Sequence, residues 1–295
     1  NKNFKGLIMR AKCFLVLLGM MLFSSAFFSL ANEKIPENET TVFNETFSWQ
    51  AMGNISAIYN PSLLKGKDQE DPLDYLGISL LLDVYYKGFF IQSNHRRTSG
   101  LLQGAELGYQ LVVTPEWELD IISKTYISSY TPKDIIENAD KDIPTLAGLK
   151  ERSAGEGIGL RYSRYHRNSV LSVDFATLAP LSDANGWIID VFYSYVLPYR
   201  NWDIYLSTGY THYSEKVMDY YYGVNSNEVS AARPYHESDA GNRLQLELFA
   251  QHPISKKWSF SGGITHSYYS KSTKESPLVD TQHVTQIMLG VVYVF

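Results

Sequence analysis

The C-terminal end of the chain, Gln282–Phe295, alternates between large apolar side chains and smaller, partly polar ones. Counting back from the terminus in steps of two gives a single apolar row, made up of Phe295, Tyr293, Val291, Leu289 and Ile287. Successive side chains of a β-strand point to opposite faces, so this row occupies one face of a strand. The pattern predicts a terminal strand with one apolar face, and the rest of the chain can be compared with it.

A final strand of this kind, ending on an aromatic residue, is typical of the closing strand of bacterial outer-membrane β-barrels. In that class of protein the terminal aromatic strand resembles the signal that the barrel-assembly machinery reads. We therefore expect Phe295, Tyr293, Val291, Leu289 and Ile287 to form an assembly signal. The expected partners are the assembly machinery and the lipids of the outer membrane.

The first part of the chain has the pattern of an export signal. Basic residues in Met9–Lys12 are followed by an apolar run, Cys13–Leu30, and by the small-x-small sequence Ser29–Ala31. These features predict a secretory signal peptide over residues 1–31 that is cleaved on export. The alternative is an uncleaved anchor helix, since the apolar run approaches the shortest length that spans a bilayer.

Removing residues 1–31 changes what the mature chain could bind. The segment contains Lys2, Lys5, Arg10 and Lys12 and no acidic residue, so the formal charge falls from −5 to −5 − 4 = −9. An acidic protein is a poor candidate for nucleic-acid binding, which depends on basic contacts to phosphates. The single cysteine, Cys13, also lies in this segment, so the mature chain offers neither a disulfide nor a cysteine metal site.

A polar lead-in over residues 32–46 precedes the expected barrel at 47–295. The barrel region contains about twelve segments of roughly ten residues, the length that a tilted membrane-spanning strand needs. Before the terminal strand they cover about 47–59, 74–86, 89–96, 103–113, 117–128, 155–165, 169–178, 186–197, 202–213, 241–252 and 258–269.

The connections between these segments alternate in length. Short connections follow the even-numbered segments, at Lys87-Gly88, Thr114–Glu116, His166–Asn168, Pro198–Asn201 and Pro253–Lys257. Most other connections are longer, and two of them form inserts at 129–154 and 214–239. A soluble β-sandwich would also show alternating strands but would not alternate its loop lengths. The sequence therefore predicts an all-β, transmembrane, antiparallel up-and-down barrel with short periplasmic turns and long extracellular loops.

With the apolar faces turned outward, several charged residues point into the barrel. The candidate lumen charges are Asp120, Lys124, Arg161, Asp174, Asp203 and Glu247. Buried charges need partners or water, and Arg161 could pair with Asp174 or with Glu247. A barrel of about twelve strands is of intermediate width, so both a narrow water-filled pore and a charge-packed plug remain open.

Two loop motifs resemble those of a known family. Tyr221, Tyr222, Gly223 and Val224 are similar to a Tyr-Tyr-Gly-Val segment of the MipA/OmpV family, the MltA-interacting protein family. Ser276 and Pro277 lie just before the last strand, where that family carries a Ser-Pro-[Ile/Val]-Val-like stretch. The hairpin Pro253–Gly263 also resembles the penultimate hairpin of the family, whereas Ile58–Gly66 matches only loosely.

The resemblance implies an outer-membrane barrel in a Gram-negative bacterium. It further implies a scaffold that links a lytic transglycosylase to a penicillin-binding protein in peptidoglycan synthesis. Other members of the family are described as adhesins or as barrels that influence permeability. The functions that remain open are thus a scaffold, a passive pore for small solutes, and an adhesin acting through the extracellular loops.

We expect neither an enzyme nor a cofactor-binding protein. His212, His236, His266 and Ser238-Asp239 would lie near the outer rim, but a catalytic triad is recognised by geometry rather than by sequence position. No nucleophile elbow is present. The spacing of the histidines along the chain predicts no metal site.

Overall fold

The computed structural model describes residues 47–67, 72–93, 105–139 and 142–295. The predicted signal peptide at 1–31 and the lead-in at 32–46 lie outside these residues. Within the described part of the chain, no helix has both the length and the apolar character that a membrane-crossing helix needs.

The described strands form one closed antiparallel barrel in which each strand pairs with its neighbours in sequence and the last pairs with the first. The strands are β1 Ser48–Tyr59, β2 Leu76–Tyr86, β3 Phe89–Ser93, β4 Ala105–Val113, β5 Trp117–Ile127, β6 Gly155–His166, β7 Ser169–Thr177, β8 Trp187–Tyr199, β9 Trp202–Tyr213, β10 Gly241–Pro253, β11 Trp258–Tyr269 and β12 His283–Val294. The predicted all-β barrel of about twelve strands is confirmed.

Short helices occupy the longer connections. They are the α-helices α1 Pro132–Asn138, α2 Glu215–Tyr222 and α3 Lys271–Lys274, and the 3₁₀ turns Pro72–Tyr75 and Ser226–Glu228. All of them lie at the same end of the barrel, which we call the loop end. The opposite end, with the short connections, is the turn end.

The strand β12 shows the alternation that the sequence predicts. The side chains of Ile287 and Leu289 are 41% and 54% exposed on the outer surface, whereas Met288 and Val292 are buried inside. β12 pairs with β1 from Met52↔Val294 to Tyr59↔Ile287. Beyond this ladder, the backbone N–H of Phe295 donates a hydrogen bond of 3.2 Å to the carbonyl oxygen of Ala51.

The outer surface of the barrel is an apolar band. Its exposed large side chains include Ile78, Leu80, Leu107, Leu160, Phe175, Leu206, Leu246, Leu248, Ile264 and Leu289. A soluble protein rarely exposes a continuous apolar surface of this kind, whereas a membrane barrel needs one to face lipid. The barrel is therefore of the membrane-spanning type.

Aromatic side chains at the turn end stand beside basic residues. The side chain of Lys87 lies over the ring of Tyr86, Arg200 over Tyr199 and Lys257 over Tyr293, each at 5.4 Å from the ring centroid. Rings with polar tips prefer the headgroup level of a bilayer, and basic side chains there meet lipid phosphates. These pairs mark the membrane boundary at the turn end.

The turn between β2 and β3 shows how tightly the short connections are built. Lys87 and Gly88 both have positive φ, 49° and 82°. Two consecutive positive φ values define the two-residue hairpin turn whose twist matches that of the flanking strands. Glycine at the second position adopts this backbone without steric cost.

Candidate functional site: the barrel interior

The loop end of the barrel contains a buried apolar cluster, which we call the cap. Strand residues facing inward contribute Tyr126, Ala176, Ile188 and Tyr213. Five connections contribute the rest, namely Leu64, Tyr130, Ile143, Leu146, Leu149, Leu178, Ala184, Val217, Met218, Tyr221, Val224 and Leu278. The insert at 129–154, which the sequence presents as polar, thus buries four side chains in the cap, those of Tyr130, Ile143, Leu146 and Leu149.

The helix α2 brings an apolar face into the cap. Val217, Met218 and Tyr221 fall on one side of the helix and are at most 1% exposed. The helix approaches the start of β8 so closely that a Cβ atom on Gly186 would lie 2.4 Å from the side chain of Val217. A residue without a side chain at 186 is therefore required for this packing.

A buried ion pair joins the two long loops within the cap. Arg152 donates two hydrogen bonds of 3.0 Å to the two carboxylate oxygens of Glu228, and both residues are almost fully buried. Burial disfavours the charged form of Glu228, but the hydrogen bonds from Arg152 and from the backbone N–H of Lys150 outweigh it and lower the pKa of Glu228 to about 2. The pair is thus held in its charged form.

Arg233 is a second buried residue that connects the same loops. It is 1% exposed, and its guanidinium donates to the carbonyl oxygens of Glu228, Thr145 and Ala147, at 2.8, 2.6 and 3.2 Å. A buried carbonyl oxygen without a hydrogen-bond donor costs free energy. In a sheet the neighbouring strand supplies these donors, and in these loops the guanidinium of Arg233 supplies them. No spacing in the sequence indicates the partners of Arg152, Glu228 or Arg233.

The two predicted family motifs contact each other inside the cap. The hydroxyl of Ser276 donates to the carbonyl oxygen of Tyr222 at 2.6 Å, and Pro277 leads into the buried Leu278. Tyr221 donates to the carbonyl oxygen of Ser153 at 2.8 Å.

The neighbouring motif residues are also used in packing the loop. Gly223 ends α2, where a Cβ atom would lie 2.3 Å from the carbonyl oxygen of Asp219. Val224 is 1% exposed and pairs with His236 in an isolated bridge. In this structure the motif residues therefore build the cap.

A charge network crosses the middle of the barrel, centred on Arg161. Its guanidinium donates to Glu106 at 2.6 and 3.0 Å and to Asp174 at 2.8 and 3.0 Å. Arg161 and Asp174 are direct cross-strand partners on β6 and β7. Of the two partners considered for Arg161, Asp174 is the one that the structure shows, and Glu247 instead accepts a hydrogen bond from Thr265 at 3.3 Å.

Lys124 extends the network to the next strands. Its ammonium lies 2.5 Å from a carboxylate oxygen of Asp174 and 3.4 Å from one of Asp190. Asp190 also accepts a hydrogen bond of 2.7 Å from Thr211. On the other side, Gln92 donates to Glu106. The network therefore runs from β3 to β9 and fills that part of the cross-section with paired charges.

A cavity of about 740 Å³ lies between this network and the turn end. Its lining includes Glu106, Lys124 and Arg161 of the network and extends to Arg167 and Asn168 in the turn between β6 and β7. Asp120, 2% exposed, also lines it, and so does Asp203, which is exposed. Glu118 lines it as well, a residue that the alternation of β5 could have indicated because it lies two positions before Asp120.

Histidines are brought together at one place on the outer rim. Nδ1 of His283 lies 3.3 Å from Nε2 of His266, through the pairing of β11 with β12. Their spacing along the chain gave no sign of this contact. Among the described residues, no group of three or more His, Cys, Asp or Glu could hold a metal ion.

A family model described as MltA-interacting protein MipA matches residues 54–295. The chain belongs to the MipA family. The match begins within β1 and includes the cap, the charge network and both loop motifs, so the predicted resemblance is confirmed. No curated protein matched the chain.

Solved structures similar to this MipA-family barrel include outer-membrane channels. One from Pseudomonas putida F1 is 11% identical, with 89% of this chain and 100% of that chain covered and a TM-score of 0.38. The channel DcaP of Acinetobacter baumannii is 8% identical, with 84% and 97% covered and a TM-score of 0.36. Another similar structure is OmpT, an outer membrane protein of Vibrio cholerae, which is 7% identical, with 85% and 99% covered and a TM-score of 0.35. Identities and scores of this size carry no argument about what the barrel does.

Proposed function

We propose that the chain is a non-enzymatic outer-membrane barrel that is closed at its loop end and holds periplasmic proteins at its turn end. Family membership carries this proposal, because the description of the family names an interaction with MltA, a lytic transglycosylase. The proposed partners are such a transglycosylase and a penicillin-binding protein, which places the barrel beside peptidoglycan synthesis. We also propose that the signal peptide is cleaved after residue 31 on export and that the barrel-assembly machinery inserts the barrel.

The cap supports a closed loop end. Apolar side chains from five connections pack against inward-facing strand residues there, and the buried pair Arg152–Glu228 joins the two longest loops. Because the motif residues are used in packing the cap, they present little surface to an external ligand. An adhesin acting through inserts 129–154 and 214–239 is accordingly the weaker alternative.

The turn end has the features of a docking surface for an acidic protein. Its exposed basic residues are Lys87, Arg167, Arg200, Lys256 and Lys257. Glu116 in the second turn pairs with Arg164 at 3.0 Å. The exposed acidic residues at this end include Glu116 and Asp203, so basic residues are in excess, and such an excess steers an oppositely charged partner towards the surface.

A binding measurement in a reconstituted membrane tests this proposal. The refolded barrel in nanodiscs is offered to a purified lytic transglycosylase and to a penicillin-binding protein, and the bound fraction is measured. Reversing charges at the turn end, with Arg167→Glu and Lys256→Glu together, is expected to weaken binding at least tenfold. The matched control reverses two exposed lysines at the loop end, Lys216→Glu and Lys271→Glu, and is expected to bind normally. A wild-type barrel that binds neither enzyme contradicts the proposal.

A passive pore is the second candidate, and the cavity at the turn end favours it. A pore needs the cap to open, so steady single-channel conductance of the wild-type barrel in planar bilayers would support it. A silent wild-type barrel that conducts only when the cap is disrupted would support the closed scaffold instead.

A further inference from the structure

We propose that the turn-end cavity binds a small organic cation, a linear alkyl diamine or polyamine, with Asp120 as the residue that receives an ammonium group. The cavity adjoins the protein-docking surface proposed above, since Arg167 belongs to both, but the site does not depend on the docking of a protein. Asp120 lies on β5, lines the cavity and is 2% exposed.

The carboxylate of Asp120 lacks a full set of partners. Its Oδ1 atom is buried and has no hydrogen-bond partner among the described residues. A buried carboxylate oxygen without a donor costs free energy, and a bound ammonium would supply both a donor and the opposite charge. Both groups that an ammonium brings, the donor and the positive charge, match Oδ1, so a cation suits this site better than an anion does and gains more from it than a neutral donor does.

The basic groups near Asp120 are already engaged by other acids. Arg161 stands opposite Asp120 in the β5–β6 register, but its guanidinium donates its hydrogen bonds to Glu106 and Asp174. Lys124 contacts Asp174 and Asp190. The charged residues that line the cavity are four acids, Glu106, Glu118, Asp120 and Asp203, and three bases, Lys124, Arg161 and Arg167, a formal sum of −4 + 3 = −1. A cationic ligand reduces this excess.

The walls of the cavity suit an alkyl chain between two ammonium groups. The aromatic side chains that line it are Tyr85, Phe90, Tyr165, Phe192 and Tyr205. Rings of this kind attract ammonium groups through their faces and pack against methylene groups. Asp203 lines the same cavity from β9 and is exposed, so it can receive the second ammonium group nearer the solvent. The volume of about 740 Å³ falls within the usual range for ligand sites, about 300 to 1,000 Å³.

Calorimetric titration of the refolded barrel in zwitterionic detergent tests the proposal. The probe is 1,5-diaminopentane, and its neutral analogue 1,5-pentanediol has the same length and similar shape. We expect saturable binding of the diamine and none of the diol. Absence of saturable heat with the diamine, or equal binding of the diol, overturns the proposal.

Two variants and a matched control locate the site. Asp120→Asn is expected to weaken diamine binding at least tenfold. Glu247→Gln removes an interior carboxylate on β10 that does not line the cavity, and its affinity should stay within twofold of the wild type. Heat-dependent mobility on gels shows whether each variant has folded.

Asp203→Asn keeps the test decisive if Asp120→Asn fails to fold, because residue 203 is exposed. It is expected to weaken binding of 1,5-diaminopentane while leaving the monoamine 1-aminopentane unaffected. Wild-type diamine affinity in Asp203→Asn, or in folded Asp120→Asn, overturns the assignment of these carboxylates. Neither result bears on the binding of periplasmic enzymes, which is measured separately.

Discussion

Arg152 and Glu228 face each other inside the cap with two hydrogen bonds of 3.0 Å, one residue from each of the two longest loops. Among the described residues of these loops, this pair is an ion pair that joins them, beside apolar contacts and the hydrogen bonds that Arg233 donates to backbone carbonyl oxygens. A buried charge that loses its partner cannot be hydrated, and such a loss costs about 3–5 kcal/mol.

Replacement of Glu228 with Gln is expected to loosen the cap. The guanidinium of Arg152 would stay buried without its counter-ion, so the two loops should separate more often. The measurement is the rate at which trypsin cleaves the loops of the folded barrel, together with conductance in planar bilayers. Glu215→Gln, at an exposed position of α2 in the same loop, is the control and should resemble the wild type. Equal cleavage rates for the two variants would show that the pair does not hold the loops.

Acid is expected to have the same effect on the wild type. The pKa of Glu228 is lowered in the folded protein from 4.5 to about 2, so its contribution to stability is fully present above the unfolded value. This contribution should disappear progressively as the pH falls from about 4.5 to about 2. Pepsin cleavage of the loops, normalised to an unfolded substrate at each pH, reports the change.

The variant Glu228→Gln provides the control for the acid effect. It has no carboxyl group to protonate at this position, so its cap should already be loose and should respond less across the same pH range. A wild-type cap that is equally resistant at pH 2.5 and pH 5 would rule out this linkage.

The central arginine of the charge network should matter far more than its neighbour on the same strand. Arg161→Gln leaves Glu106 and Asp174 buried without their main counter-ion, so we expect a loss of about 3–5 kcal/mol in the free energy of unfolding. Arg164 pairs with Glu116, but both side chains are substantially exposed, at 41% and 70%. Arg164→Gln should therefore change the free energy of unfolding little. Urea unfolding in lipid vesicles measures both, and similar losses would contradict the structural role of the network.

Phe295→Ser is expected to impair insertion of the barrel. The ring of Phe295 packs edge-on against Tyr293 with centroids 5.1 Å apart, at the end of the apolar row predicted as the assembly signal. Phe89→Ser, at an exposed aromatic position at the start of β3, is the control for the loss of one exposed aromatic ring. The amount of heat-modifiable protein in the outer-membrane fraction is the measurement. Normal insertion of Phe295→Ser would show that the last residue carries no signal.

The strands could be predicted because their environment repeats. Lipid lies outside every strand and paired polar groups or small side chains lie inside, so the alternation along β8 or β12 is visible without knowledge of neighbours. The pairing of Arg161 with Asp174 was also accessible, because a short turn fixes the register of β6 and β7. Glu106, by contrast, reaches Arg161 from β4, and that contact depends on the curvature of the wall.

The cap could not be predicted in the same way. Ile143, Leu146 and Leu149 lie in a loop rich in polar residues, and nothing in their order distinguishes buried from exposed positions. They are buried because they belong to the cap, whose other members come from distant parts of the chain. Loop packing of this kind is decided by three-dimensional neighbours, which a pattern along the chain does not record.

The pairing of β1 with β12 also has a consequence for the order in which the barrel assembles. Every other pairing joins strands adjacent in sequence, so it can form as a local hairpin at a small entropic cost. The pair from Met52↔Val294 to Tyr59↔Ile287 brings together the two ends of the whole array. We expect it to form last, from a curved sheet with two open edges that must be kept from pairing with other chains. Substitutions that destabilise β1 or β12 should therefore prolong the lifetime of the open-sheet intermediate. Substitutions that destabilise another strand should slow the formation of a single hairpin.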